Sequence, residues 1–126
     1  MFAQFQIQSP KGTAEAHWAN VDTGSMVNIC YSGALDEHPT LRAYYTPYAH
    51  VVQGVGQKTT QVIGKLSNVP ISLCPMNAST PDIITTTFYI LECPTYHFIL
   101  GLQLLVPING GVFCGTQTLT YTPPNS

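Results

Sequence analysis

Residues 18–30 read WANVDTGSMVNIC: an apolar segment, then Asp22, Thr23, Gly24 and Ser25, then a second apolar segment. The chain has only six acidic residues. One of them, Asp22, lies between two segments that are predicted to be buried strands, and its position there needs an explanation. Burying an ionised carboxylate alone is costly, but Gly24 permits a tight turn that aims backbone N–H groups at its oxygens. Taken alone, these four residues favour the simpler interpretation of a β-turn that Asp22 caps.

The composition predicts a single domain over residues 1–126 and excludes one class of partner. Hydrophobic residues make up 44% of the chain and charged residues 8%, whereas an average soluble domain has about 25% charged residues. So few charges leave much uncharged surface, which predicts a buried subunit interface. With a net charge of −2 and four basic residues the chain cannot form a basic stripe, so nucleic acid is not an expected partner.

The sequence predicts no membrane, metal or cofactor partner. No stretch approaches the roughly 18 apolar residues of a membrane-spanning helix, and the N-terminus lacks a signal-peptide core, so we expect an intracellular protein. The cysteines form no C-x-x-C pair and the histidines have no ligand spacing, so we interpret them as reduced core residues and as structural or surface residues, respectively. These residues are Cys30, Cys74, Cys93 and Cys114, and His17, His38, His50 and His97.

Hydrophobic periodicity predicts an all-β fold with one short helix at most. Residues 2–8, FAQFQIQ, alternate apolar and polar side chains, and residues 82–92, DIITTTFYILE, are rich in β-branched and aromatic residues. Residues 31–38 are expected to hold a single helical turn, and residues 39–50 are expected to be irregular. The aromatic residues expected in the core are Trp18, Phe98 and Phe113.

Three features follow one another in a specific order along the chain. Residues 21–25, VDTGS, follow an apolar segment; residues 53–57, QGVGQ, form a glycine-rich hairpin; and residues 98–101, FILG, precede a short helical run from Leu102 to Leu105. In this order they resemble the retroviral-type aspartic proteases (retropepsins), most closely those of long-terminal-repeat retrotransposons and related viruses. The resemblance extends over residues 14–121.

The resemblance implies a retropepsin-like lobe, with a small closed β-barrel or sheets, a flap hairpin and one short helix, that works as a homodimer. It implies that Asp22 is the catalytic aspartate and that Thr23 and Gly24 complete the catalytic loop. The Thr23 hydroxyl would then bond across to the partner's loop. The residues that the resemblance places against the substrate are Ser25, Gly54, Val55, Gly56 and Gln57.

Two features of the loop set this chain apart within the family that it resembles. Ser25 stands where members vary between alanine and serine, and we expect its hydroxyl to hydrogen-bond the Asp22 carboxylate and lower the pH optimum. Many retroviral members place acidic residues after the loop and an arginine after the second motif. Here those places hold Met26, Val27 and Leu102, which removes an intrachain ion pair and predicts a more apolar substrate groove.

One carboxylate per chain predicts a symmetric dimer. Peptide hydrolysis by this route needs one group to accept a proton from water and another to protonate the scissile carbonyl. Asp36 and Asp82 lack the D-[ST]-G context, so the second group must be Asp22 of another copy, with the site on a two-fold axis. Residues 2–8 and 116–121 are the candidate strands of the interface sheet.

The sequence therefore predicts an aspartic endopeptidase that cleaves extended peptides in the polyprotein from which it derives. We expect it to need no cofactor and to act in the cytoplasm or within virus-like particles. Two alternatives stay open. One is a catalytically silent retropepsin-like module for dimerisation or peptide binding, and the other is a domain of the ubiquitin-linked shuttle type with the same chemistry.

Overall fold

The computed structural model describes residues 2–48, 50–53, 59–73, 83–95, 97–113 and 118–122. Ten strands lie within these residues: β1 (Phe2–Gln8), β2 (Ala14–Val21), β3 (Ile29–Tyr31), β4 (Tyr45–Thr46), β5 (His50–Gln53), β6 (Thr59–Ser72), β7 (Ile84–Leu91), β8 (Phe98–Leu100), β9 (Gly111–Phe113) and β10 (Thr118–Thr120). The helices described are α1 (Ser32–Glu37), a 3-10 helix (Pro39–Tyr44) and α2 (Leu102–Leu105).

Six of the strands close into a barrel. They neighbour one another in the order β1, β2, β8, β3, β7, β6, and β6 pairs back onto β1 through Ser72 with Gln6 and Ile71 with Ile7. Outside this ring β4 and β5 pair with β6, while β9 and β10 form a separate two-stranded antiparallel sheet. The prediction of an all-β fold with a small closed barrel is confirmed.

The longest strand, β6, belongs to two parts of the sheet. Its residues 59–62 pair with β5, and its residues 62–71 pair with β7. Two register shifts interrupt the second pairing, one at residues 62–64 and one at residues 66–69, where Asn68 has a φ of 55°. Because such irregularities bend a strand, β6 can form both a hairpin with β5 and a wall of the barrel.

Side-chain alternation along the strands builds the core. Phe5 of β1, Phe88 of β7 and Phe98 of β8 are at most 1% exposed, and their ring centroids lie between 5.3 and 6.2 Å apart. The prediction that Phe98 lies in the core is confirmed. The same prediction for Trp18 is wrong: this side chain is 58% exposed, because its two neighbours in β2 face inward. The side chain of Phe113 lies outside the described part of the structure.

The helices exceed the single short helix expected from the sequence. The positions of α1 and α2 agree with the two helical runs expected there, but the segment expected to be irregular begins with the 3-10 helix. Pro39 lies in the first turn of that helix, where its fixed φ suits helical backbone, and Leu41 is buried in the core. None of the described helices is long and apolar enough to cross a membrane.

The two candidate interface segments differ in their pairing. Strand β1 pairs with β2 over its full length and with β6 near its end, so its backbone groups are largely used within the chain. Strand β10 pairs with β9 in a two-stranded sheet that is separate from the barrel sheet in its strand pairing, although Leu119 of β10 packs against the core; residues 116 and 117 lie outside the described residues. Since the edge of such a sheet can accept strands from another chain, β10 fits the interface role better than β1.

Two of the four cysteines lie within the described residues, and both are free thiols. Cys30 is fully buried, and burial raises the pKa of its thiol to about 12. This agrees with its interpretation as a small inert core residue. Cys93 is half-buried, which differs from the expected full burial, and Cys74 and Cys114 lie outside the described residues.

Candidate active site

The Asp22 loop crosses the end of β8. Strand β2 ends at Val21 and β3 begins at Ile29, and β8 lies between them in the sheet. Strand β8 runs parallel to β2, pairing Leu100 with Val21, and antiparallel to β3, pairing Ile99 with Ile29. Residues 22–28 therefore pass over the carboxyl end of β8, which fixes the loop against Leu100 and the glycine that follows it.

Three hydrogen bonds shape the turn at the carboxylate. The Asp22 N–H donates to the Leu100 carbonyl at 3.0 Å, and the Ser25 N–H donates to the Asp22 carbonyl at 3.2 Å. The Gly24 N–H donates to Asp22 Oδ1 at 2.8 Å, as the sequence predicts for this turn. A Cβ at Gly24 would lie 3.1 Å from the same oxygen, so glycine lets the carboxylate come close. Asp22 itself is only half-buried in the single chain, which leaves part of it accessible.

Backbone hydrogen bonds fasten the other side of the loop to α2. The Leu102 N–H donates to the Ser25 carbonyl at 2.8 Å, and the Gln103 N–H donates to the Met26 carbonyl at 3.1 Å. These bonds use main-chain atoms alone, so they hold the loop at the place where many retroviral members have an ion pair. Gly101 makes the approach possible, because a Cβ there would lie 2.4 Å from the Val27 carbonyl oxygen.

The Ser25 hydroxyl does not bond the Asp22 carboxylate, so this part of the sequence interpretation is wrong. Its Oγ donates to the Val27 carbonyl at 2.7 Å. A hydroxyl has a single proton to donate, and an ionised carboxylate can only accept hydrogen bonds. The bond within the loop therefore removes the reason for expecting a lower pH optimum, and it gives Ser25 a role in shaping the turn.

Replacing Ser25 by alanine is therefore expected to leave the acid limb of the pH–rate profile in place and to lower the free energy of unfolding by about 1 kcal/mol. The reason is that the variant loses one hydrogen bond inside the loop and no donor to the carboxylate. Urea unfolding and cleavage rates measured across the acid range on the same preparation check both parts. An acid limb displaced by half a pH unit or more would place the hydroxyl on the carboxylate in the working enzyme.

Asn28 is a buried hub that sequence reasoning missed. Its side-chain amide donates to Thr86 Oγ1 at 2.9 Å and to the Thr87 carbonyl at 3.1 Å, and its Oδ1 accepts the Gly101 N–H at 2.9 Å. Its backbone N–H donates to Gln103 Oε1 at 3.1 Å. One residue thus ties the end of the Asp22 loop to β7 and to α2. The only sequence signal is a lone polar residue in the apolar run MVNICY, residues 26–31.

Replacing Asn28 by alanine is expected to lower the free energy of unfolding by about 3 kcal/mol, because it leaves the buried Gly101 N–H and Thr87 carbonyl without these partners. Asn28→Asp is the matched variant. It keeps the acceptor for Gly101 but loses both donors, so we expect a loss of similar size. Chemical denaturation of the two variants measures this, and a loss below about 1 kcal/mol in both would contradict the hub role.

The comparisons with known proteins agree with this architecture. No family model matches the chain, and no curated protein matches it by sequence. Among solved structures, the crystal structure of the retroviral protease-like domain of Ddi1 from Leishmania major matches with a TM-score of 0.61. The match covers 96% of this chain and 88% of that chain at 18% sequence identity. The chain has a retropepsin-like fold.

A partly apolar surface flanks the Asp22 loop of this retropepsin-like lobe. Thr23 is exposed and lines a surface pocket of about 210 Å³ together with residues of α2 and the turn after it. Met26 and Val106 lie on the loop and just after α2, and they are 78% and 70% exposed. Large exposed apolar side chains around a polar loop are typical of a surface that another protein covers.

The flap expected in a retropepsin-like lobe is described only at its base. Strands β5 and β6 form an antiparallel pair that ends with Gln53 opposite Thr59. Residues 54–58, which join these two strands in the sequence, lie outside the described residues. Of the candidate substrate-binding residues, Gly54, Val55, Gly56 and Gln57 lie outside the described residues.

The other acidic residues considered for catalysis have different surroundings. Asp36 lies on α1, is exposed, and accepts a hydrogen bond from the Arg42 guanidinium at 3.0 Å. Asp82 lies outside the described residues. Within the described part of the chain, Asp22 is thus the aspartate that the loop geometry singles out.

A cluster of side chains that could bind a metal ion lies at the start of β2, at the opposite end of the strand from the Asp22 loop. The structure brings Glu15, His17 and His38 together, with all three potential ligand atoms within 4.8 Å of one another. The sequence interpretation treated the histidines as dispersed, because His38 is distant along the chain from the other two. The sequence could have indicated only part of this cluster: Glu15 and His17 are two residues apart in a strand, so their side chains lie on the same face.

Proposed function

We propose that this chain is one half of a homodimeric aspartic endopeptidase. The observation that carries the proposal is the Asp22 loop. It holds a partly accessible carboxylate against the Gly24 N–H, it is fixed on both sides by β8 and α2, and it belongs to a retropepsin-like fold. A loop fixed in this way can hold a reacting group in place before the substrate arrives.

In the proposed dimer the two Asp22 carboxylates face each other across the two-fold axis. Like charges at close range cannot both ionise freely, so the pair shares one proton and titrates as a unit. The ionised member accepts a proton from a water molecule as that water attacks the scissile carbonyl carbon. The protonated member donates its proton to the carbonyl oxygen, which gives a tetrahedral diol. The carboxyl group that took the water proton then protonates the amide nitrogen, and the other carboxylate takes a hydroxyl proton back from the diol. The C–N bond breaks to release an amine and a carboxylic acid, and one proton remains on the pair.

The proposed interface uses the surface around the loop and the two-stranded sheet. Thr23 is exposed, and in the proposed dimer its hydroxyl would bond to the partner's loop, while the exposed Met26 and Val106 would supply apolar contact area. The β9–β10 sheets of the two copies would pair edge to edge. This pairing would cover the sheet edge that is unpaired in a monomer.

The substrate class proposed is an extended peptide with apolar residues beside the scissile bond. Such a peptide would lie as a strand between the two loops and the flap hairpins, held mainly through its main chain. Met26 and Leu102, in place of charged residues, leave this part of the groove with few charges. We further propose that the natural substrate is the polyprotein of a retrotransposon-like element, cleaved in the cytoplasm or in particles.

The test is cleavage of a peptide library across pH 3 to 8 at several protein concentrations, with pepstatin as an inhibitor and sedimentation to measure the dimer. We expect acidic cleavage that pepstatin blocks and that rises more steeply than linearly while the protein is partly monomeric. A folded dimer that cuts nothing at any pH would overturn the enzyme and leave a binding or dimerisation module.

A further inference from the structure

We infer that Glu15, His17 and His38 form a binding site for a divalent transition-metal ion of the zinc type. The cluster lies at the start of β2, whereas the catalytic loop follows the end of the same strand. Asp22 lies seven positions after Glu15, which corresponds to about 23 Å along an extended strand. The site is thus separate from the proposed chemistry and does not depend on it.

The positions of the three ligands follow from the fold. Alternation along β2 places Glu15 and His17 on one face, two residues apart. His38 follows the end of α1 and precedes the 3-10 helix, so the packing of these helices brings it over β2. The imidazole rings of His17 and His38 lie 4.8 Å apart between centroids, at an interplanar angle of 76°.

The distances fit a shared ion better than direct hydrogen bonds. His17 Nε2 lies 3.7 Å and His38 Nδ1 lies 3.5 Å from the same atom, Glu15 Oε2. Hydrogen bonds of this kind measure about 2.7–3.2 Å. Zinc bonds of about 2.0–2.1 Å in a tetrahedron put ligand atoms roughly 3.4 Å apart, which small side-chain movements would reach here.

The Glu15 carboxylate accepts a hydrogen bond from a neighbouring residue, as the ligands of a metal ion usually do. Thr40 Oγ1 donates to Glu15 Oε1 at 2.7 Å, which orients the other oxygen, Oε2, toward the two imidazoles. That Oε2 is buried and accepts no hydrogen bond from any residue that the structure describes. A buried carboxylate oxygen without a donor is costly, and a cation held between it and the imidazoles would remove that cost.

The exposure of the cluster is also suited to a metal. The side chain of His17 is inaccessible, but those of His38 and Glu15 are 31% and 25% exposed. This open side provides an access route and a place for a water molecule as the fourth ligand.

The experiment uses the full chain, stripped of metal by a chelator and then dialysed at pH 7.5. Zinc binding is measured by calorimetry, thermal unfolding is recorded with and without zinc, and cobalt is added as a spectroscopic probe. We expect one zinc per chain, a higher Tm with zinc, and the intense visible bands of tetrahedral cobalt. His38→Ala and Glu15→Gln are expected to abolish saturable binding, and both residues are partly exposed, so the variants should fold.

Two further variants separate a built site from scattered histidine binding. His97→Ala removes a histidine whose ring contacts Tyr31 and Phe2, and we expect it to bind zinc like the parent. Thr40→Val removes only the hydrogen bond that Thr40 donates to Glu15 and is expected to weaken binding about tenfold. Absence of saturable zinc binding, or binding that His38→Ala and Glu15→Gln leave unchanged, would overturn the inference.

Discussion

Replacing Asp22 by asparagine is expected to lower kcat/KM by at least about 10³-fold, because neither copy can then share or transfer the proton on which both halves of the reaction depend. The amide is nearly the same size as the carboxylate, and its Oδ1 can still accept the Gly24 N–H. We therefore expect the free energy of unfolding and the dimer dissociation constant to change little. Cleavage assays and sedimentation on one preparation measure both.

Asp36→Asn is the matched control, since Asp36 is an exposed carboxylate whose partner is Arg42 on the surface. It is expected to retain the parent activity. A stronger test mixes parent and Asp22→Asn chains in equal amounts and lets them exchange. If each site needs two Asp22 residues, about one quarter of the dimers stay active, whereas activity in about three quarters of the dimers would show that a single carboxylate is enough and would refute the shared pair.

Replacing Gly101 by alanine is expected to have the largest effect on stability, a loss of about 3 kcal/mol or more. The added Cβ would lie 2.4 Å from the Val27 carbonyl oxygen and 2.6 Å from that of Ser25. Both are backbone atoms of the Asp22 loop, so relief requires the loop to move away from α2. The φ of −109° and ψ of −167° at Gly101 are open to any residue, so the cost is steric.

Gly110→Ala is the comparison for this prediction. A Cβ there meets the Cδ2 atom of Leu105 at 3.0 Å, the movable end of a side chain, and we expect a loss below about 1 kcal/mol. Urea unfolding ranks the two variants. Because the loop is displaced, Gly101→Ala should also lose most activity under conditions in which it stays folded. Equal stability of Gly101→Ala and the parent would mean that the loop and α2 are less closely packed.

The parts of the fold that could be predicted are those determined over short stretches of chain. The turn of residues 22–25 and the helical run after Gly101 depend on neighbouring residues, and the structure has both. The alternating pattern of β1 likewise indicated a strand. The sequence did not indicate that β8 lies between β2 and β3. This arrangement brings the motif of residues 98–101 next to the motif of residues 21–25.

The features that were missed depend on contacts between distant residues or on competition between partners. Asn28 meets Thr86 and Gly101 only because three strands are adjacent in the sheet, and no local pattern contains that information. From the sequence alone, the Ser25 hydroxyl could be paired with more than one acceptor, and the structure shows that it donates to the Val27 carbonyl. The cluster with His38 forms for a similar reason, since helix packing brings it to β2.

The divided pairing of β6 has a consequence for local unfolding. The amides of residues 59–61 are held by β5, whereas those from residue 62 onward lie in the wall that β7 shares. The pairing of β5 with β6 can thus open without breaking the barrel, and the register shift at residues 62–64 marks the boundary. In native-state hydrogen exchange, the amides of β5 should exchange at a much lower opening free energy than those of β7. Strand β6 would then belong to two separate cooperative units, one formed with β5 and the other within the barrel.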